Sequence, residues 1–477
     1  MCSILEGDNL TPVVKSKKIV RICMKCDNKP IVIIRIDDAF CRDCFWNYCI
    51  HKFRSTFGRT HIVKHKEKVL LAYSGGHGST ALLHMVIDGL SERCHKKIGF
   101  IPGIVYINEG ATLNLTAEEN KAKCDEIVSV MEKSGLPYFV SSLENALNLM
   151  PDGEVDDDGL SRDYSRMDLN AEQSLRQRLA AFKTLTAKME FIKILRHKLI
   201  LDIARRNGYN KVMTGETAMN LSIQILSNIA QGKGAHISID TGFTDERDSK
   251  IMILRPMREF SSKEVAMYNH FYGMEPVTVP NLSTKATRNS SIHQLTESFV
   301  TGLQAEFPST VSTIFRTGSK MQLTTNQRKT NADTCSLCKG PLDTSVGDAS
   351  ALNATQLSMK LSRRQLGVDA RSATNPDAGV CCGEVAGCNS NLNTKTEQAC
   401  CGEGDGSCRS NTNTEELTLD MLNDALCYGC RLLVRDMNDF KQLPRTITDE
   451  IYQKKRRQQM RAEIDEFLLS DNDAEDS

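Results

Sequence analysis

Little in this sequence points to a membrane or to export. No apolar run approaches the roughly 18 residues needed to cross a bilayer. Met1 to Leu10 carries Glu6 and Asp8 where a signal peptide would place an apolar core, so the chain is expected to stay in the cytosol or nucleus. Charge of one sign is lacking too: 60 Lys and Arg balance 60 Asp and Glu. Net charge therefore gives no argument for a polyanionic partner, and any such case has to be local. Aromatic residues make up only 6%, with a single tryptophan, Trp46, and residues 317–426 contain no Phe, Tyr or Trp. That polar stretch cannot bury enough apolar area to offset its ordering entropy and reads as a disordered insertion.

Cysteine, by contrast, is plentiful, with 18 in 477 residues. In a reducing compartment paired cysteines read first as metal ligands rather than disulfides. Cys23-x-x-Cys26 and Cys41-x-x-Cys44 are two knuckles, with a strand-like Pro30 to Ile36 between them, as in a zinc ribbon. Each can present two thiolates on one side of a tight turn, and together they make a closed, structural four-cysteine site. Cys335-x-x-Cys338 and Cys427-x-x-Cys430 stand on either side of the polar insertion. Loop closure costs rise slowly with length, so the insertion can loop out and let these knuckles meet. Thiolate ligands favour zinc, with an iron–sulfur cluster as the alternative at either set. A duplication, Cys381-Cys382-Gly383-Glu384 through Cys388 and Cys400-Cys401-Gly402-Glu403 through Cys408, lies inside the insertion; vicinal cysteines do not resemble separated zinc-ligand pairs.

Four zones follow: a four-cysteine zinc module over 1–60, an α/β domain over 61–316, the insertion over 317–426, and the second half of the split zinc module with a helix and acidic tail over 427–477. The α/β reading rests on alternation. Val69 to Tyr73 is a buried-strand run followed by a helical pattern through Leu82, Leu83, Val86, Ile87 and Leu90. Further strands are expected over Ile98 to Ile107, Pro137 to Val140 and Lys211 to Thr214. Helices are expected over Thr116 to Met131, about 171–206, Ser262 to Phe271 and Ile292 to Phe307, the last with Ile292, Leu295, Phe299 and Leu303 on one face. A Leu221, Ile225 and Ile229 face follows the fourth strand. Such alternation implies a Rossmann-like parallel sheet covered on both sides.

Ser74-Gly75-Gly76-x-x-Ser79 joins the first strand to the first helix. Glycines let backbone N–H groups approach a phosphate, and a helix N-terminus favours negative charge. The pattern is neither a Walker loop nor G-x-G-x-x-G.

The loop resembles the S-G-G-x-D-S signature of PP-loop ATP pyrophosphatases. Together with the preceding C-x-x-C block through Phe57, the split C-terminal pair, and the segments Ser291-Ile292-His293-Gln294-Leu295-Thr296-Glu297 and Phe307-Pro308-Ser309-Thr310-Val311, the chain is similar to the cytoplasmic tRNA 2-thiolation protein 2 family. The resemblance implies a PP-loop domain, with ATP and Mg at Ser74, Gly75, Gly76 and Ser79. It also implies a role in placing sulfur at C2 of the wobble uridine, giving mcm5s2U in tRNA Lys, Glu and Gln. Implied partners are tRNA, a catalytic paralogue in a heterodimer, and a thiocarboxylated ubiquitin-related modifier as sulfur donor. In that chemistry ATP adenylates the C2 oxygen and a sulfur nucleophile displaces AMP.

Three departures argue against catalysis by this chain alone. Gly78 stands where the loop signature has Asp. Thr214-Gly215-Glu216-Thr217-Ala218-Met219-Asn220 lacks the paired acids of related thiolases. No cysteine occurs between Cys124 and Cys335, so the expectation is a non-catalytic subunit, the alternative being an ATP-dependent tRNA sulfurtransferase in its own right. Cys94 and Cys124 read as an ordinary loop thiol and a packing residue. The basic stretch His51, Lys52, Arg54, Arg59, His61, Lys64, His65, Lys66 and Lys68 is either a solvated linker or a phosphate-binding surface, and the resemblance favours RNA. Lys454 to Arg461 reads as a solvated terminal helix.

Overall fold

A computed structural model describes residues 22–34, 37–91, 98–113, 115–149, 169–282, 290–321, 334–342 and 417–465 of the 477-residue chain. The duplicated cysteine segments, Cys94, and most of the 317–426 stretch lie outside those residues.

Two small strands, β1 (Val32–Ile34) and β2 (Asp38–Phe40), form an antiparallel hairpin ahead of α1 (Arg42–Thr60). The α/β domain then runs β3 (Lys68–Ala72), α2 (His77–Leu90), β4 (Ile101–Asn108), α3 (Ala117–Lys133), β5 (Tyr138–Ser142), α4 (Leu169–Ala180), α5 (Leu185–Arg206) and β6 (Lys211–Thr214). It continues with α6 (Ala218–Ala230), α7 (Ile237–Thr241), β7 (Thr244–Asp245), β8 (Met252–Leu254), α8 (Ser262–Phe271), α9 (Ile292–Glu306) and α10 (Thr310–Lys320). The last segment holds α11 (Leu419–Ala425), α12 (Tyr428–Arg435) and α13 (Arg445–Asp465).

The sheet order is β5-β4-β3-β6-β8-β7, parallel except for β7, which pairs antiparallel with β8 at one edge. Successive strand residues face opposite sides. Leu70, Val105 and Val212 enter a core shared with α5, α12 and α13, whereas Val69, Leu71, Ile104, Tyr106 and Met213 enter a second core shared with α1, α2, α3 and α8. Both faces are covered, as the sequence pattern implies, and the order outward from β3 is that of a Rossmann-like doubly wound sheet. The chain proceeds from β3 to β4 and β5 on one side, then returns to β6 on the other. The carboxyl ends of β3 and β6 therefore flank the switch point, where sheets of this kind hold ligands.

The cysteine-rich N-terminal module docks on this domain through α1. Glu264, buried in the first turn of α8, closes a capping box with Ser261 and also accepts from Lys52 Nζ at 2.9 Å and Tyr48 Oη at 2.6 Å. Burial pushes its carboxyl up, but Lys52 and the bonds from Tyr48 and Ser261 outweigh that and hold it below the usual value. Trp46 lies over Tyr268 (centroids 5.6 Å apart, planes 12° apart) and against Tyr272 (4.2 Å).

Two expected apolar faces point elsewhere. On α9, Leu295 and Phe299 are 53% and 58% exposed, because the helix packs through Val300 onto Ala218, Ile223 and Val311. On α6, Leu221 and Ile225 are buried, but Ile229 in the last turn is exposed.

Candidate functional site

The Ser74–Ser79 loop sits at the switch point, between β3 and α2. Gly75 has φ +79°, and a Cβ there would lie 2.6 Å from Ile127 Cδ1 and 2.8 Å from the Val277 carbonyl oxygen, so glycine is required on both counts. The backbone N–H of Val277 donates to the Gly75 carbonyl at 2.9 Å, and Asn269 Nδ2 donates to the His77 carbonyl at 3.0 Å. Ser79 Oγ donates to the Gly76 carbonyl at 3.0 Å and lies 3.3 Å from Ser74 Oγ. The loop is thus a tight turn whose hydroxyls bond within the loop itself.

Gly78 meets the other side of the crevice. A Cβ on Gly78 would come within 2.1 Å of the Gly215 carbonyl oxygen, and one on Gly215 within 2.5 Å of the Ser79 amide nitrogen. The two backbones touch where β3 and β6 part. The first turn of α2 leans on the exit of β6, and no side chain fits at position 78 without backbone movement. The absent Asp of the loop signature is therefore a matter of space as well as of charge.

Near this contact the polar groups include arginine–carboxylate pairs. Arg196 of α5 pairs with Glu109 at the end of β4. Arg255, after β8, donates from Nε to Glu216 at 2.8 Å and lies 3.4 Å from Asp245, while Thr214 Oγ1 donates to Glu216 at 3.1 Å. Arg247 holds Asp245 at 2.5 Å and Asp240 at 2.9 Å. Cys124 is 2% exposed on α3, and burial, with Asp125 adding, pushes its thiol up to about 11. It packs in the core and has no thiolate character at neutral pH. Arg196 and Arg255 carry no pattern that marks them in the sequence, and Gly215 and Glu216 stand out there only as a stretch without paired acids, although a glycine directly after a strand signals a close backbone approach.

The structure brings both cysteine sets together. Cys23, Cys26, Cys41 and Cys44 converge, as do Cys335, Cys338, Cys427 and Cys430, each set with its sulfur atoms within 4.8 Å of one another and none disulfide-bonded. Measured pairs are 3.5 Å for Cys26 and Cys41, 3.6 Å for Cys26 and Cys44, and 3.7 Å for Cys338 and Cys427. Metal–sulfur bonds of about 2.3 Å in a tetrahedron put sulfurs about 3.8 Å apart, so both sets fit a four-thiolate ion. Their proton affinities agree. In the first set burial raises the Cys23 thiol, but N–H groups of Cys41, Lys25 and Cys26 outweigh it and bring it to about 6, while burial and the other thiols push Cys44 up to about 12. A readily ionised Cys23 beside a Cys44 that holds its proton is what like charges packed together produce, and one divalent cation relieves that repulsion.

The sites differ in setting. In the first set Cys26 and Cys44 are half-buried and Cys23 and Cys41 buried, whereas in the second only Cys338 is half-buried and Cys335, Cys427 and Cys430 are at most 1% exposed. The second cluster joins segments on both sides of the insertion to α5 and α13.

A family model described as cytoplasmic tRNA 2-thiolation protein 2 matches residues 291–432. Cytoplasmic tRNA 2-thiolation protein 2-A of Xenopus laevis is 39% identical over 529 residues, covering 100% of both chains. The protein 2 of Danio rerio is 38% identical over 95% of each chain. That of Homo sapiens is 33% identical over 95% of this chain and 94% of its own. Among solved structures, the U34-tRNA thiolase NcsA of Methanococcus maripaludis with its 4Fe-4S cluster superposes with a TM-score of 0.47 and 15% identity, covering 64% of this chain and 90% of that one; so distant a likeness carries no argument by itself. On full-length identity, this chain belongs to the cytoplasmic tRNA 2-thiolation protein 2 family.

Proposed function

We propose that this chain is a cytoplasmic binding and scaffold subunit of tRNA 2-thiolation and that the sulfur-transfer chemistry is done on a partner. The partner is a catalytic PP-loop paralogue, tRNA 2-thiolation protein 1, in a heterodimer. The RNA is tRNA Lys, Glu or Gln at the wobble uridine, and the sulfur comes from a thiocarboxylated ubiquitin-related modifier.

The contact of Gly78 with Gly215 carries this reading. Nucleotide-activating loops need amides for the phosphates and, in this superfamily, an acid beside them. Here the amides of the Ser74–Ser79 turn remain, but the place for the acid is filled by the backbone of the β6 exit. The residues do not fit ATP with Mg as a working pair, and no step is routed through them. The lone thiol among the described residues of 61–316, Cys124, is buried and protonated. What the chain's own groups can do is hold shape. Lys52, Tyr48 and Glu264 fix the N-terminal module to α8, and the Arg255, Glu216 and Asp245 pairs fix the strand ends.

The two clusters, Cys23, Cys26, Cys41, Cys44 and Cys335, Cys338, Cys427, Cys430, would hold zinc. Four thiolates leave no open position, so the metal supplies folding energy rather than chemistry.

The test is reconstitution. Purified chain, tRNA, ATP and a sulfur donor are expected to give no thiolated uridine, and addition of the paralogue to give turnover. Turnover by this chain alone would refute the subunit reading.

A further inference from the structure

The C-terminal cysteine cluster is seated on one short turn of the α/β domain, Gly232 to His236, between α6 and α7. Gly232 has φ +70°, and a Cβ there would fall 2.4 Å from Tyr428 Cε1, beside the second knuckle. The Lys233 side chain lies over Gly429, whose Cβ would come within 2.4 Å of Lys233 Cγ, and its ammonium is held by Glu190 at 2.8 Å. The His236 ring lies over Gly340 of the first knuckle, where a Cβ would come within 2.1 Å of Cε1. Glycine in both knuckles lets the turn approach this closely. From that seat His236, 3% exposed, points Nδ1 at Cys338 Sγ, 4.0 Å away and 102 residues along the chain. Its Nε2 is buried with no hydrogen-bond partner, so the polar contact of the ring is the one to sulfur. Arg247, from the same side, reaches the Cys338 carbonyl oxygen at 3.5 Å.

The N-terminal cluster has no equivalent among the described residues. The N–H groups that reach its sulfurs are amides of its own module, those of Lys25, Cys26 and Cys41 for Cys23 and that of Asn28 for Cys26.

We infer that His236 is a positioning residue for the C-terminal metal centre, donating its Nδ1–H to the Cys338 thiolate and making that centre the slower of the two to surrender its metal. A half-buried thiolate that accepts from a fixed N–H donor is held in its ligating orientation. The same ring welds the insertion-flanking knuckles to the α/β domain, so metal loss there requires the domain to open. The inference rests on both clusters holding metal, which a separate measurement checks: two zinc ions per purified full-length chain.

The experiment follows zinc release to excess EDTA with a colorimetric zinc dye. Two phases are expected, the slower one persisting alone in Cys26→Ser. His236→Phe should speed the slow phase about tenfold or more and leave the fast phase unchanged. His236→Asn, which can place an amide N–H near the Nδ1 position, should restore most of the slow rate. In cobalt-substituted Cys26→Ser chain, the sulfur-to-cobalt charge-transfer band should shift with His236→Phe and return with His236→Asn. Equal acceleration by Phe and Asn would make the ring mere packing and overturn the inference. So would an unchanged slow phase, or a slow phase that vanishes in Cys26→Ser. If His236→Phe does not accumulate folded, normal zinc retention by His236→Asn supports the donor and its failure overturns it. A zinc content below two per wild-type chain would instead refute the underlying reading.

Discussion

Gly78→Ala isolates the contact on which the functional reading depends. The new methyl would lie 2.1 Å from the Gly215 carbonyl oxygen, a backbone atom that cannot rotate away. To reach the shortest separations seen in close-packed interiors, that oxygen must retreat by about 1 Å. The β6 exit is itself held, since Gly215 follows a strand paired on both sides and precedes Glu216, which Arg255 and Thr214 bind. Overpacking of this kind costs about 1–3 kcal/mol. An apposed backbone atom puts the clash in the upper part of that range, about 2–3 kcal/mol, and Ala is better than Gly inside a helix by about 1 kcal/mol, so the net destabilisation should be about 1–2 kcal/mol. For a domain of this size that lowers the melting temperature by about 2–8 °C. Gly78→Asp, which restores the loop's formal signature, should be no better than Ala and should not confer ATP binding. Differential scanning fluorimetry and isothermal titration with ATP and Mg read both outcomes. Gly78→Asp with wild-type melting and millimolar or tighter ATP affinity would refute the argument, since the crevice would then have had room for the acid.

Removing metal from the N-terminal module should uncover Trp46. Because this lone tryptophan lies over Tyr268 and against Tyr272, Cys26→Ser is expected to red-shift the intrinsic fluorescence, and Cys430→Ser to leave the maximum nearly in place. Glu264→Gln leaves Lys52 buried without its partner and should cost about 3–5 kcal/mol, measured by urea unfolding. The carboxyl is held below its unfolded value, so its stabilisation is present above that value and lost as pH falls through the lower folded one. The wild-type minus Glu264→Gln stability difference should therefore be full at pH 7 and shrink with acid below about pH 4.5. If the stretch His61 to Lys68 touches RNA phosphates, replacing Lys64 and Lys66 with Gln should weaken tRNA binding by the chain, alone or with the proposed partner, and reduce its salt slope by about 1–2; an unchanged slope would leave that stretch a linker.

Four of the six sheet strands were legible because buried parallel strands announce themselves as short apolar runs, whereas β7 and β8, two and three residues long, gave no such run. Lys211 to Thr214 matches β6 residue for residue, and Ser262 to Phe271 matches α8. Both cysteine clusters were legible from spacing, including the one split by the insertion, because knuckles tolerate any loop between them. The α9 face was misjudged for a physical reason: a 3.6-residue period reports that a helix has an apolar side, and not what covers it. Val300, not Leu295 or Phe299, is the residue that packs. Most hidden was the Gly78–Gly215 contact. A glycine in place of an acid reads as a lost ligand, and only the apposed backbone 137 positions on turns it into an excluded one.

The placement of the basic stretch bears on how RNA could be held. Lys68 opens β3, whereas the Ser74–Ser79 turn closes it, so His61 to Lys68 lies at the far end of the sheet from the crevice, roughly 15 Å or more along the strand direction. Two basic side chains near it already have structural tasks, Lys68 over Tyr209 and, further back on α1, Lys52 bound to Glu264. A wobble uridine brought to the strand ends of this domain would find the apposed Gly78 and Gly215 backbones and arginine–carboxylate pairs, while phosphates elsewhere on the tRNA could meet exposed His61, Lys64, His65 and Lys66 at the opposite end of the strands. That separation suits a subunit that grips the body of the RNA and leaves its anticodon to a partner. It requires protection of sugar–phosphate sites outside the anticodon loop by this chain, and footprints confined to that loop would contradict it.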